Sequence, residues 1–193
     1  MNVLGIYGSP RKGGNSDLLL QQALAGARDA GGTVKEIFAR DLNISGCQAC
    51  GGCDKTGACI LKDDMQPVYT ALDHSRMIIL STPVFFYGFP AQLKALIDRA
   101  QARWSKRMLE KSNAERQKHN SGSGYLIAVG ATGGKNLFAG MELSAKYFFD
   151  ALDKDYQGGL FFRGVDKKGA IIEHPEAQKQ AFELGRHLIH FPL

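Results

Sequence analysis

Residues 3–7 form an apolar run with no polar face. It breaks at Gly8-Ser9-Pro10-Arg11-Lys12-Gly13-Gly14 and resumes with Asn15, Ser16 and Asp17 ahead of Leu18-Leu19-Leu20. An unbroken apolar run of this length is what a strand buried on both faces of a parallel sheet requires. Asn15 or Ser16 then supplies a helix cap. A strand, a glycine-rich turn and a helix N-terminus together leave backbone N–H groups pointing outward at the positive end of a helix dipole. That is an anion site, to which Ser9, Arg11, Asn15 and Ser16 can add donors. It is not a triphosphate loop, because Gly14-Asn15 stands where Lys-Ser/Thr would follow Gly8 and Gly13. Nor does it carry the G-x-G-x-x-G of a dinucleotide site. What remains is a pocket for one phosphate monoester.

The alternation continues along the chain. A helix over residues 15–30 stops at Gly31-Gly32, and residues 33–38 read as a second strand. Further strands are expected over 77–80, 125–129 and 159–165, with helices over 63–74, 90–104, 137–152 and 175–189. Five strand–helix alternations specify an α/β, doubly wound parallel sheet. A phosphate loop after the first strand favours the flavodoxin-like order 2-1-3-4-5. The 193 residues suit one domain. Two embellishments are expected: a cysteine loop at 45–62 and a basic insertion at 105–123 that ends in a flexible Ser121-Gly122-Ser123-Gly124.

In this order the ligand crevice lies at the carboxyl ends of the first and third strands. The loop after the third strand carries Pro83-Val84-Phe85-Phe86-Tyr87-Gly88-Phe89. So many aromatics before a helix begins suit a wall against a planar ring. The loop after the fourth strand, with Ala131, Thr132, Gly133 and Gly134, lets backbone amides approach that ring and stabilise negative charge on it. One phosphate site, one aromatic wall and one amide-lined floor add up to FMN.

All four cysteines fall within thirteen residues: Cys47, Cys50, Cys53 and Cys59, with Gly46, Gly51, Gly52 and Gly57 between or beside them. Closely spaced thiolates on a glycine-rich backbone can wrap a 4Fe–4S cluster. Structural zinc usually uses two separated knuckles, and free thiols are the third alternative.

The first loop and the segment from Pro83 through Pro90-Ala91-Gln92-Leu93-Lys94 to Arg99 resemble the NADPH-dependent FMN reductase family of flavodoxin-like proteins. That family usually carries Tyr where Phe85 stands. The compact cysteine motif resembles its iron–sulfur flavoprotein branch. The resemblance implies that Cys47, Cys50, Cys53 and Cys59 are the ligands of a 4Fe–4S cluster, and that the chain is a homo-oligomer. The loop leaves the second strand on the crevice edge, so cluster and flavin are expected one or two strands apart.

The function expected is an oxidoreductase with FMN and a 4Fe–4S cluster, passing electrons between two-electron and one-electron partners. Its partners would be NAD(P)H or a one-electron redox protein such as ferredoxin. The rivals are an NAD(P)H-dependent FMN or quinone reductase with a non-redox cysteine site, and a non-enzymatic electron carrier or redox-responsive regulator. No side-chain acid or base stands out as catalytic, and His119 reads as a surface residue. Net charge is +5, and four of those charges fall between Arg103 and Lys118, a patch that could attract an acidic partner or a phosphorylated cofactor. There is no nucleic-acid motif, no apolar run of membrane-span length and no visible secretory signal, so the expectation is cytoplasmic, with neither nucleic acid nor membrane as partner.

Overall fold

The computed structural model describes residues 1–119 and 121–190. Asn120 of the insertion and residues 191–193 lie outside the described residues. The strands are β1 (Asn2–Tyr7), β2 (Thr33–Phe38), β3 (Met77–Pro83), β4 (Ser123–Val129) and β5 (Asp155–Phe162). The helices are α1 (Asn15–Asp29), α2 (Met65–His74), α3 (Ala91–Arg99), α4 (Gln101–Glu110), α5 (Ala139–Ala151) and α6 (Pro175–His190). The sheet runs β2-β1-β3-β4-β5 with every pair parallel, the expected flavodoxin-like order.

Successive residues of each central strand serve opposite cores. Leu4, Ile6, Ile78 and Leu80 pack beneath α2, α3 and α5. Val3, Tyr7, Met77 and Ile79 pack beneath α1 and α6. Burial on both sides is why these strands read as continuous apolar runs rather than alternating ones.

Four expectations change. β5 occupies 155–162 instead of 159–165. As an edge strand it tolerates half-exposed Tyr156 and exposed Asp155, and its register slips between Gly124 and Leu126 of β4. The helix expected to end near Trp104 bends at Ala100 and continues to Glu110, well into the insertion. The Ser-Gly run is not a flexible linker but the tight entry to β4. Gly122 has φ +128, and a Cβ there would stand 1.8 Å from the Arg76 carbonyl oxygen. At Gly124 a Cβ would stand 2.2 Å from the Phe149 ring.

Finally, the basic patch is largely neutralised by acids from elsewhere in the chain. Arg103 pairs with Asp73 at 2.7 Å, Arg107 with Asp150 at 2.8 Å, and Lys111 with Asp153 at 2.5 Å. Arg107 is buried, and His119 bridges Asp150 and Asp155 at 2.8 and 2.7 Å. The insertion is therefore docked by ion pairs, and His119 helps to dock it.

Candidate functional site

The first loop is fixed from beneath. Gly8 N donates to Ser81 O at 2.7 Å, and the Ser81 hydroxyl donates to Ser16 O at 2.8 Å, so β3 holds both ends of the turn. Gly8 is required there, since a Cβ would meet Leu93 at 2.3 Å. Arg40, just beyond β2, donates to Ser9 O and to Asp17 Oδ2, each at 3.0 Å, while Gly13 N donates to the same carboxylate oxygen. Burial raises the Asp17 pKa, and Arg40 works against that shift.

The Ser9 hydroxyl accepts from Arg11 N at 3.1 Å. Asn15 donates to Lys167 O at 2.9 Å and accepts from Ile171 N at 3.3 Å, which ties α1 to the segment after β5. The Ser16 hydroxyl is buried and has no hydrogen-bond partner among the described residues. Ser9, Arg11, Asn15 and Ser16 all line one cavity of about 310 Å³.

Pro83, Val84 and Phe85 form another wall of that cavity, and Ala131 lines it as well. Beyond Phe85 the aromatic stretch turns back sharply. Phe85 and Gly88 exchange backbone hydrogen bonds of 3.0 and 2.9 Å, and Phe86 and Tyr87 both take positive φ, 48° and 61°. Positive φ at both central residues is the geometry of a type I′ hairpin turn, strained for residues other than glycine. Phe86 therefore projects into solvent at the tip, and Tyr87 folds over Gly134, where a Cβ would stand 2.8 Å from its hydroxyl. Phe86, Tyr87, Thr132, Gly133 and Gly134 lie outside the cavity wall. Three residues that the sequence did not flag, Val129, Val165 and Asp166, complete it.

The cysteine loop crosses the surface between β2 and α2. All four thiols line a second cavity, of about 430 Å³, together with Ile60 and Leu61 and with Arg99 and Ala102 of the α3–α4 arm. They are unpaired; Cys47 and Cys50 are exposed, Cys53 and Cys59 half-buried. Among the described residues, no three His, Cys, Asp or Glu side chains converge on one point able to hold a metal ion. Four thiols lining one cavity are a set of soft donors of the kind an iron–sulfur cluster takes.

The two ends of this loop meet at Arg99. Its guanidinium donates to Ser45 O at 2.9 Å and to both oxygens of Asp63 at 2.7 and 3.0 Å. Arg99 is buried, and the Tyr69 hydroxyl donates to its carbonyl at 2.8 Å. The hydrogen bonds from Arg99 lower the Asp63 pKa, while burial raises that of Tyr69 to about 12. The thiols do not stay at the edge of the sheet where the loop begins. Leu93 near the start of α3 packs under Gly8, and Arg99 at its end lines the cysteine cavity. The two cavities thus lie at opposite ends of a nine-residue helix, about 13 Å long.

Comparison with known proteins adds to this geometry. A family model described as NADPH-dependent FMN reductase matches residues 1–150. An iron–sulfur flavoprotein of Methanosarcina thermophila is 38% identical over 100 residues, 52% of this chain and 52% of that protein. The chain thus spans about half the length of the curated relatives named iron–sulfur flavoprotein. A putative NAD(P)H-dependent FMN-containing oxidoreductase of Bacillus subtilis, YwqN, is 24% identical over 189 residues, 95% of this chain and 96% of that one. The NAD(P)H:quinone oxidoreductase from Methanothermobacter marburgensis superposes with a TM-score of 0.75 at 14% identity, covering 97% of this chain and 98% of that one. At that identity the likeness concerns the fold. No helix among the described residues is long and apolar enough to cross a membrane.

Proposed function

The chain belongs to the NADPH-dependent FMN reductase family, and from that premise we propose that it is a flavin-dependent oxidoreductase with FMN in the first cavity and a 4Fe–4S cluster in the second. One observation carries the flavin assignment. Ser16 lines the cavity at a helix N-terminus, and its buried hydroxyl lacks a partner among the described residues. Leaving such a group unsatisfied costs about 1–3 kcal/mol, which an arriving phosphate oxygen would recover. Arg11 adds a charge-assisted bond from the rim, and the loop amides supply the rest.

Pro83, Val84 and Phe85 would flank the ring, with Ala131 beside it. When bound, FMN supplies hydride-level chemistry, and the cluster supplies single-electron steps. The chain's own part is to hold each group, to exclude water from the ring with Val84 and Phe85, and to keep four thiolates facing one space. Cys47, Cys50, Cys53 and Cys59 are the proposed ligands. The relatives named iron–sulfur flavoprotein support this assignment.

The proposed partners are NAD(P)H on the two-electron side and a redox protein such as ferredoxin on the one-electron side. Arg11, Lys12, Lys135, Arg163, Lys167 and Lys168 are exposed on the loops that surround the flavin cavity. They favour an anionic partner more directly than the paired insertion does. A second copy of the chain is proposed to cover Phe86 at the hairpin tip.

The test is anaerobic reconstitution with FMN, ferrous iron and sulfide, read by visible spectrum and by iron and sulfide assay. About four irons and four sulfides per chain with one FMN are expected. A flavin-loaded chain that oxidises NADPH yet takes up no iron would leave a reductase whose cysteines play no redox part.

A further inference from the structure

α4 meets the cysteine loop at one close contact. Gly57 has φ +67, and a Cβ there would stand 2.8 Å from the Cβ of Lys106, so the absence of a side chain lets the loop lie directly on the helix. At that contact the Ser105 hydroxyl stands 3.4 Å from Cys53 Sγ and 3.4 Å from Asp54 Oδ1. The same carboxylate oxygen is 3.9 Å from the sulfur. Ser105 is 2% exposed, so the two acceptors within reach of its one proton are the Cys53 sulfur and the Asp54 carboxylate rather than solvent. The other residues of α4 that face inward, Ala102 and Arg107, offer no donor to this sulfur: one is apolar, and the other is engaged by Asp150.

We propose that Ser105 and Asp54 act on the Cys53 sulfur in opposite senses and so set the reduction potential of the iron–sulfur cluster, an inference that rests on the cluster assignment above. As an iron ligand, Cys53 has no proton to give Asp54. The sulfur then competes with Asp54 Oδ1 for the Ser105 proton and feels the Asp54 charge, and each electron added to the cluster draws that proton further toward the sulfur. Reduction puts more negative charge on the cluster and its thiolates. A donor aimed at a sulfur stabilises the reduced form more than the oxidised one, whereas a neighbouring carboxylate does the reverse. Ser105 therefore raises the potential and Asp54 lowers it. Both are positioning residues, since neither replaces a ligand.

The experiment is an anaerobic redox titration of the reconstituted chain, with the reduced cluster followed by electron paramagnetic resonance and iron content measured in parallel. Ser105→Ala should favour the oxidised cluster by about tenfold at a fixed solution potential, a downward shift of about 59 mV for a one-electron couple. Asp54→Asn should shift it upward by a similar amount, with iron per chain unchanged in both variants. A loosened loop would move both variants in the same direction, so shifts of opposite sign support the proposal, and shifts of like sign or no shift in either variant overturn it. If Ser105→Ala fails to retain iron, Asp54→Asn decides alone: its side chain is exposed, and an unmoved potential rejects the proposal. A wild-type chain that forms no cluster would overturn the cluster assignment and this inference with it. A cluster that forms with potentials indifferent to both substitutions would overturn only the inference.

Discussion

At the first cavity the sheet itself does the shaping. Gly8 hangs from Ser81 of β3, Ser16 is tied to the same residue, and Arg40 beyond β2 braces Ser9 and Asp17. Residues 42–64 have no such frame. They contain no strand, they turn through left-handed conformations at Ala49, Gly51 and Gly57, and their two ends are gathered by one buried guanidinium. The first cavity is preformed by core packing; the second is held by the Arg99–Asp63 pair, by Asn43 N on Asp64 at 2.7 Å, by the seat of Gly57 on α4 and by whatever the thiols hold. Ligand loss should therefore leave the first region intact and loosen the second.

Breaking the staple is the harshest trial of that contrast. Arg99→Leu leaves Asp63 and Ser45 O without their buried partner, a change that costs about 3 kcal/mol, the low end for such pairs because Asp63 reaches water. Urea unfolding should register this, and the reconstituted variant should lose its iron while FMN titration stays at the wild-type affinity. An equal loss of flavin affinity would mean that the two cavities are one mechanical unit.

The converse substitution is smaller. Arg11→Ala should weaken FMN binding by about 1.5–3 kcal/mol, the worth of a charge-assisted hydrogen bond. Fluorescence titration measures it, and iron content should not move. Ser16→Ala sharpens the point further. Without ligand, removing an unsatisfied buried hydroxyl should leave stability unchanged or raise it slightly, whereas FMN affinity should fall by about 1 kcal/mol. A stability loss in the ligand-free chain would show that the hydroxyl already serves the fold.

The contrast also explains what was legible in sequence. Sheet order, the glycine loop and part of the first cavity's wall follow from local signals: apolar runs, Gly8, the polar stretch Asn15-Ser16 that opens α1, and Pro83-Val84-Phe85. The cap expected at Asn15 or Ser16 is not there: Gly14 holds the N-cap position, and neither side chain caps the helix. The cysteines announce themselves by composition. What the sequence hid is long-range pairing. Arg99 looks like one more helix-end cation until Asp63 and Ser45 are brought to it. The insertion looks strongly basic until Asp73 from α2 and Asp150 and Asp153 from the end of α5 arrive. The first cavity borrows Val165 and Asp166 from a loop with no motif, anchored by an Asn15 side chain that had looked free for phosphate. The aromatic run misled in another way, because its hydrophobicity was visible while the hairpin that turns Phe86 outward was not.

The smallest effect expected separates the two regions by the sign of their response to acid. Asp63 has a folded-state pKa below the usual 3.8, chiefly through the Arg99 hydrogen bonds. Its contribution to stability is present above that ordinary value and is lost as pH falls through the lower, folded one. Asp17 is the opposite case: its folded-state pKa lies above 3.8, because burial outweighs Arg40. Between those two values the folded chain holds the Asp17 proton more tightly than the unfolded chain does. Acid therefore favours folding there, and the contribution fades as pH rises through the folded pKa. Urea unfolding of the wild type, Asp63→Asn and Asp17→Asn from pH 3 to pH 6 tests both limbs. Asp63→Asn should be less stable than the wild type at pH 6, with the gap closing as pH drops below about 4. Asp17→Asn, which mimics the protonated acid, should hold its advantage at pH 6 and surrender it on acidification. Differences from the wild type that move in the same direction with pH would show that the first loop and the cysteine loop share one electrostatic response, and the two regions would not differ in that respect.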